Sequence, residues 1–312
     1  MKRKVLILSL FLTLAIIALS CVPATPGPAA PPGPKPVLEK VKETGVLKVG
    51  FREAAVPFAY VNEKGEYVGF SVDMAKLLVK KLSEYLGRDV KLVPIAVEAR
   101  TRVPLVANET IDISMECCTH TAARDEVVDF SLPFFVAETL FMIRAEDYES
   151  GAIRTLKDLN GKIVGATRGT TNLEALEKVV EKGIIKPKDL IITESHPKGF
   201  FALKTKKIDA YFTDSSLLMG LKMKAEHPEN YVIIPESIHA EPYAFPVREG
   251  DSDFLDFVNN FIIWTLVTGK YYEIYDKWMG PESEVPIPRS PDFEALLRMM
   301  QWPGISEDWP KK

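Results

Sequence analysis

The sequence predicts an α/β protein of two similar lobes, and two observations support this. Strand-like and helix-like segments alternate along most of the 312 residues, which is typical of sheets with crossover connections. Two pairs of short segments also resemble each other. Gly45–Glu53 resembles Gly161–Gly169, and Thr110–Thr119 resembles Lys207–Ser216. Each pair joins a glycine-containing strand to a later Ile-Asp strand, so we expect two lobes of like topology.

The first twenty residues form a leader. Lys2, Arg3 and Lys4 precede a predominantly apolar run from Val5 to Leu19, which is short for a membrane span and typical of a secretory signal. The segment that ends at Cys21 resembles a bacterial lipobox, so we expect Cys21 to carry lipid. Removal of the leader takes three positive charges from a chain of formal net charge −4, so the exported part is more acidic. Such a chain is not expected to bind nucleic acid.

The predicted organisation has five parts. Residues 1–20 are the signal peptide, and residues 21–36 are the lipidated cysteine with a tether that holds seven prolines after Cys21. Residues 37–143 form the first part of lobe 1, residues 144–241 form lobe 2, and residues 242–312 return to lobe 1 and end in a tail. We expect a monomer at the outer face of the cytoplasmic membrane or in the periplasm.

The elements follow in order. In the first lobe we expect strands at 46–51, 67–70, 90–95, 111–115 and 140–143, with helices at 71–86 and 103–107. In the second lobe we expect strands at 162–166, 190–193, 208–213 and 231–235, with helices at 171–181, 200–204 and 215–225. The return to lobe 1 has a strand at 243–247 and helices at 251–267, 269–278 and 293–300.

Polar residues follow four of the predicted strands, and ligands of open α/β sheets bind beyond such strand ends. These residues are Arg52, the stretch Thr119–Arg124, Thr170 and Asp214. In the second of these, a strand runs through hydroxyl-bearing residues into a helix that contains Arg124. Free N–H groups at a helix N-terminus and a planar guanidinium both suit a carboxylate. If the lobes face each other, the four groups converge in one cleft.

At this point a resemblance becomes specific. The segments VGFREAAVPFAY, ECCTHTAARDEVVDFS, GATRGTTNLEAL and DAYFTDSSLLMG resemble solute-binding proteins of amino-acid ABC transporters, in the glutamate/aspartate-binding branch. The resemblance implies the two-lobed periplasmic binding protein fold, with two α/β lobes joined by a two-strand hinge and the ligand in the cleft. It also implies a permease and its ATPase as partners, and no cofactor or metal.

The resemblance further implies roles for single residues. Arg124 would hold the α-carboxylate of an amino acid, helped by Thr119 and by Thr170 and Thr171, and Asp214 would hold its α-ammonium. Three further positions match those that bind the side-chain carboxylate of the ligand in the acidic-ligand branch: Arg52, Arg102 and His196. Two positions depart from the pattern, since Ala99 and Cys117 stand where serines are expected.

Counting charges supports the same ligand. Arg52, Arg102 and Arg124 against Asp214 leave two excess positive charges in a closed cleft, and unpaired buried charge costs several kcal/mol. Glutamate or aspartate would lower this excess, whereas a neutral amino acid would not.

Other interpretations remain open on the sequence. Cys117 and Cys118 are either free buried thiols or a strained vicinal disulfide. Glutamine is an alternative ligand. An exported dehydratase of the arogenate or prephenate type shares this fold and would need an acid or base, for which Glu116 or His196 could serve. Since no established catalytic motif is present, we expect a binding protein and no enzyme.

Overall fold

The computed structural model describes Gly33 and residues 35–310. The predicted leader, Cys21 and most of the tether fall outside these residues. The described chain forms two five-stranded sheets and one three-stranded sheet. The predicted α/β class is therefore confirmed, with each large sheet forming the centre of one lobe.

The first lobe contains a sheet of order β5-β1-β6-β13-β7. Strand β1 pairs in parallel with both β5 and β6, and β13 runs antiparallel to β6 and β7. The strands are β1 Val46–Phe51, β5 Lys91–Ala96, β6 Ile113–Ser114, β7 Val128–Phe130 and β13 Pro246–Arg248. A small sheet of β2 Ala54–Ala55, β3 Ala59–Val61 and β4 Tyr67–Val68 lies beside it.

The second lobe contains a sheet of order β10-β9-β11-β8-β12. Here β9 pairs in parallel with β10 and β11, and β8 runs antiparallel to β11 and β12. The strands are β8 Phe135–Arg144, β9 Ile163–Thr167, β10 Asp189–Thr193, β11 Ala210–Asp214 and β12 Tyr231–Tyr243. The order of parallel strands therefore repeats that of the first lobe, as the paired segments predict.

Helices flank both sheets. Those of the first lobe are α1 Val37–Thr44, α2 Phe70–Leu86, α3 Arg102–Ala107 and α4 Ala122–Asp125. Those of the second lobe are α5 Ala145–Glu149, α6 Thr171–Glu181, α7 His196–Lys204 and α8 Ser215–Met223. The return segment forms α9 Ser252–Val267, α10 Lys270–Met279 and α11 Pro291–Met299, which pack on the core of the first lobe. Two short 3₁₀ helices are Leu156–Leu159 and Pro228–Asn230.

Two strands connect the lobes. The chain leaves the first sheet after β7 and enters the second through β8, and it returns from β12 to β13. The sequence places residues 140–143 in the first lobe, but β8 pairs with both β11 and β12 in the second sheet. The chain therefore crosses between the lobes before residue 139 and not at the predicted boundary of 143. The boundary depends on which strands pair, and one apolar segment of sequence does not reveal its pairing partners.

No helix among the described residues is both long enough and apolar enough to span a bilayer.

Candidate functional site

Polar side chains from both lobes meet where the parallel strands end. Arg52 follows β1, Thr119 follows β6, Thr171 begins the helix after β9, and Asp214 ends β11. All four are buried, at 7%, 2%, 7% and 5% relative exposure. The hydroxyls of Thr119 and Thr171 lie 3.3 Å apart although they belong to different lobes. Thr119 and Thr171 therefore bring the two lobes into contact at the strand ends.

Arg102 is buried and has a carboxylate partner within the protein. Its Nη1 donates to both carboxylate oxygens of Glu116, at 2.8 and 3.0 Å, and to the carbonyl oxygen of Cys117 at 2.9 Å. Glu116 has no exposed surface. The charge of Arg102 is thus balanced internally, while its Nε is buried with no hydrogen-bond partner among the described residues, and its role toward a ligand carboxylate stays a prediction. This pair could not be predicted from the sequence, because Arg102 and Glu116 are 14 residues apart.

Arg52 has weaker partners. Its Nη1 lies 3.6 Å from Sγ of Cys117 and 4.0 Å from Oε2 of Glu116. A thiol is a weak acceptor, and 4.0 Å exceeds hydrogen-bond distance. The guanidinium of Arg52 is therefore buried, with the carboxylate of Glu116 at 4.0 Å and no hydrogen bond to a carboxylate among the described residues.

His196 begins α7, beneath the cleft. Its Nδ1 lies 2.7 Å from the hydroxyl of Tyr211 and 3.3 Å from that of Thr213, while its Nε2 is buried with no hydrogen-bond partner in the described chain. Burial, together with Arg52 and Arg102, holds the pKa of His196 well below its usual value. The ring is therefore neutral at physiological pH, with one nitrogen still available.

Arg124 is half-buried and spans the two lobes. Its Nη1 donates to the carbonyl oxygen of Thr119 at 2.7 Å, and its Nη2 donates to the carbonyl oxygen of Gly169 at 3.4 Å. Gly169 lies two residues before α6, whose first N–H groups have no acceptor within the helix. Arg124 and the N-terminus of α6 therefore adjoin each other, as a carboxylate site requires.

Glu241, which the sequence reading used only as a domain boundary, is central to the cluster. It is fully buried on β12. Its Oε2 accepts from the hydroxyls of Thr119 at 2.7 Å and Thr171 at 2.6 Å, and its Oε1 accepts from Thr139 at 2.6 Å. The two predicted threonines thus donate to an internal carboxylate. No local pattern along β12 indicates this role, because His239, two residues earlier on the same strand, is exposed.

Asp214 lies next to this carboxylate. Asn172 donates to its Oδ1 at 2.8 Å. Burial and the charge of Glu241 raise its pKa to about 7, against hydrogen bonds from Asn172 and Tyr243 that lower it. The side chain of Asp214 makes no capping bond to α8. It is therefore a buried, partly protonated carboxyl group that is not needed as a helix cap.

Thr170 differs from its predicted role. Its hydroxyl donates to the carbonyl oxygen of Thr167 at 2.7 Å and accepts from the N–H of Leu173 at 3.2 Å. It is the N-cap of α6, so its hydroxyl positions the helix and has no hydrogen left for a ligand.

Cys117 and Cys118 are free and buried, so the vicinal disulfide is absent. Burial raises the pKa of both thiols. They are therefore neutral, and Cys117 acts in the cluster as a weak polar neighbour of Arg52.

The cluster holds more carboxyl groups than the sequence indicated. Three arginines now face three carboxylates, because Glu116 and Glu241 join Asp214. The two excess positive charges expected from the sequence are not present, so the argument from total charge was wrong. Within residues 35–310, no group of three or more His, Cys, Asp or Glu side chains is placed to hold a metal ion.

Comparisons with known proteins agree with this architecture. The pattern of a family described as bacterial extracellular solute-binding proteins, family 3, matches residues 47–281. An L-glutamate/L-aspartate-binding protein of Pseudomonas aeruginosa is 34% identical over 245 residues, which is 77% of this chain and 79% of that protein. A glutamine-binding protein of Geobacillus stearothermophilus is 32% identical over 260 residues, covering 78% and 93%. The crystal structure of an ancestral amino acid-binding protein, a precursor of cyclohexadienyl dehydratase, is 27% identical with a TM-score of 0.66, covering 78% and 99%.

Proposed function

The chain belongs to family 3 of the bacterial extracellular solute-binding proteins, and on that premise we propose that it captures glutamate or aspartate and delivers it to an ABC transporter permease with its ATPase. The coarser part of this function, binding of an amino acid outside the cytoplasm for such a transporter, is that of the family. The proposal concerns the ligand, the residues that hold it, and the anchoring of a monomer to the membrane through Cys21.

The observation that carries the proposal is the guanidinium of Arg52, which is buried and makes no hydrogen bond to a carboxylate of the described residues. The carboxylate of Glu116, at 4.0 Å, is already hydrogen-bonded by Arg102, so a ligand carboxylate would supply the close partner that a buried cation needs. We place the Nε2 of His196, which is buried with no hydrogen-bond partner among the described residues, at the same end of the ligand. A carboxylate at the end of a ligand side chain would accept from both groups. This pairing depends on the surroundings of Arg52 and not on the total charge of the cluster.

The other end of the ligand has matching groups. Arg124 and the N-terminus of α6 provide charge and free N–H donors for an α-carboxylate. Asp214 provides a carboxylate for the α-ammonium, which would also stabilise its ionised form. The distance between these two ends would select the ligand's length.

Glutamine is the second candidate, because the balanced charge of the cleft favours a neutral ligand. Its amide oxygen could accept from Arg52, and its amide nitrogen could donate to Glu116, which lies 4.0 Å from that guanidinium. A dehydratase activity is not favoured by any observation in the cluster, since its carboxylates are bound by protein donors.

Calorimetric titration of the purified mature protein tests the ligand. We expect glutamate and aspartate to bind far more tightly than glutamine and arginine. Arg52→Met should lower the affinity for glutamate by about a hundredfold, equivalent to about 2.7 kcal/mol, and should alter glutamine binding much less. Arg154→Met, a change at an exposed arginine, serves as the control.

Tighter binding of glutamine than of glutamate by the wild type would refute the acidic-ligand proposal. Incubation with prephenate and arogenate under the same conditions addresses catalysis, because turnover of either would show that the chain is not purely a binding protein.

A further inference from the structure

Glu241 joins four elements at one point. It lies on β12, and its carboxylate accepts from Thr139 on β8, from Thr171 at the start of α6, and from Thr119 of the first lobe. Asn172 adds a longer contact of 3.4 Å. The two connecting strands and both sides of the cleft therefore share one fully buried carboxylate.

The chemistry of a carboxylate fixes the direction of these hydrogen bonds. The hydroxyls of Thr119 and Thr171 both donate to Oε2 of Glu241, and each hydroxyl has a single hydrogen to donate. Each hydroxyl keeps lone pairs and has no hydrogen left. Toward any further group, both can therefore act only as acceptors. They suit a donor such as an ammonium group and do not suit a ligand carboxylate.

A second chain of hydrogen bonds links Glu241 to Asp214. Thr139 donates to Glu241 and accepts from Asn172 at 2.8 Å, and Asn172 also donates to Asp214 at 2.8 Å. The amino end of the cleft thus contains the carboxyl groups of Glu241 and Asp214, the latter with a raised pKa, and two hydroxyls that can only accept. All of these groups favour a positively charged donor.

We propose that Glu241 is the positioning residue for recognition of the ligand's α-ammonium group. By holding the hydroxyls of Thr119 and Thr171 as acceptors, it completes with Asp214 a site for a primary ammonium. Since Thr119 and Thr171 belong to different lobes, this site is complete only when the lobes close. The proposal rests on the proposed function, because it concerns the amino group of that ligand. It differs from the resemblance, in which the hydroxyls hold the α-carboxylate.

Glu241→Gln tests this directly. An amide nitrogen in place of Oε2 would direct its N–H donors at both hydroxyls, which would then accept from it and keep their hydrogens, whereas an amide nitrogen in place of Oε1 would face Thr139. We expect affinity for L-glutamate to fall by about 10- to 100-fold, the range for loss of hydrogen bonds to a charged group. Affinity for glutarate, which lacks the amino group, should change less than about threefold on the same scale. Thermal shift at high ligand concentration detects even weak glutarate binding, because bound ligand raises the Tm.

Two further variants make the outcome decisive. Glu138→Gln makes the same chemical change at an exposed position of β8 and should bind both ligands as the wild type does. Thr119→Val removes one acceptor, leaves Glu241 in place, and should also weaken L-glutamate more than glutarate. If Glu241→Gln does not fold, Thr119→Val decides alone.

Equal losses for L-glutamate and glutarate, or no loss for either, would overturn the role of Glu241. Failure of the proposed function gives a different result, because the wild type itself would then not bind L-glutamate tightly. If the wild type prefers glutamine, the same comparison is made between glutamine and its deamino analogue.

Discussion

Arg102 and Glu116 form a buried pair whose partners depend on each other. Removing one charge from such a pair is costly because the other stays buried and uncompensated. Arg102→Met should therefore lower the free energy of unfolding by about 3–5 kcal/mol, whereas the double variant with Glu116→Gln should recover part of this loss. Urea unfolding of the wild type, both single variants and the double variant measures the coupling. An Arg102→Met protein that unfolds like the wild type but no longer binds glutamate would assign Arg102 to the ligand instead.

The ionisation of Asp214 predicts a pH dependence with a definite sign. Its pKa of about 7 in the folded protein lies above the ordinary value of 3.8. Between these values the folded state holds more protons than the unfolded state, so the free energy of unfolding without ligand falls as pH rises. The ammonium of a ligand requires the ionised carboxylate. Affinity should therefore rise by up to about tenfold per pH unit as pH increases toward about 7, and then level off.

Calorimetry in two buffers of different ionisation enthalpy measures the accompanying release of protons. The groups around Asp214 that set its charge are Glu241, Asn172, Tyr243 and Arg102. Asp214→Asn should bind more weakly and should lose most of the pH dependence. An affinity that is constant from about pH 5 to pH 7 would contradict an Asp214 pKa near neutrality.

At the scale of elements, the paired segments have a physical basis. A Cβ on Gly50 would lie 2.6 Å from Cδ1 of Ile111, and a Cβ on Gly165 would lie 2.8 Å from Cδ1 of Ile208. In each lobe, glycine therefore makes room for the isoleucine of the Ile-Asp strand. The aspartates are also equivalent. Asp112 accepts from the N–H of Lys48 and Asp209 from that of Ile163, each at 2.8 Å. These requirements recur in both lobes and leave a repeated sequence pattern, which is why the two lobes could be predicted.

The elements also show where sequence reasoning stops. Strands and the polar residues at their ends follow from local patterns, and β1 begins and ends as predicted. Strand β12 was expected to end at residue 235 but continues to Tyr243, because its later polar residues pair with β8 or point into the cleft. The partner of each buried charge was not predictable, since Thr119 and Glu241 are 122 residues apart. Long-range pairing of this kind has no signature in one sequence.

Helix α8 approaches the first lobe closely and gives a test of closure. A Cβ on Gly220 would lie 2.2 Å from the carbonyl oxygen of Val56, closer than atoms can approach. Gly220→Ala should hold the lobes apart and weaken ligand binding by about tenfold or more, a cost above 1.4 kcal/mol. The same change should raise helix stability by up to about 1 kcal/mol when the lobes are open. Calorimetry and small-angle scattering with saturating ligand measure the two effects, and a variant that closes and binds like the wild type would contradict the prediction.

At the scale of the whole molecule, the two lobes meet through several kinds of contact. Arg124 bonds to Gly169, and the hydroxyl of Thr119 adjoins that of Thr171. Each lobe has its own hydrophobic clusters among the described residues, and the largest cluster of the first lobe also includes Leu217 of α8 from the second lobe.

The close approach at the two glycines has a consequence for how this protein discriminates. A Cβ on Gly169 would lie 2.9 Å from Cα of Arg100, so here, as at Gly220, backbone of one lobe sets the limit for the other. Rotation of side chains cannot widen such a gap. Backbone contact therefore sets a fixed limit to how far the two lobes can close. A ligand that is one methylene longer must keep the lobes further apart. Selectivity for the charge of the ligand can change when single side chains are replaced. Selectivity for the length of the ligand can change only when the backbone at these contacts moves.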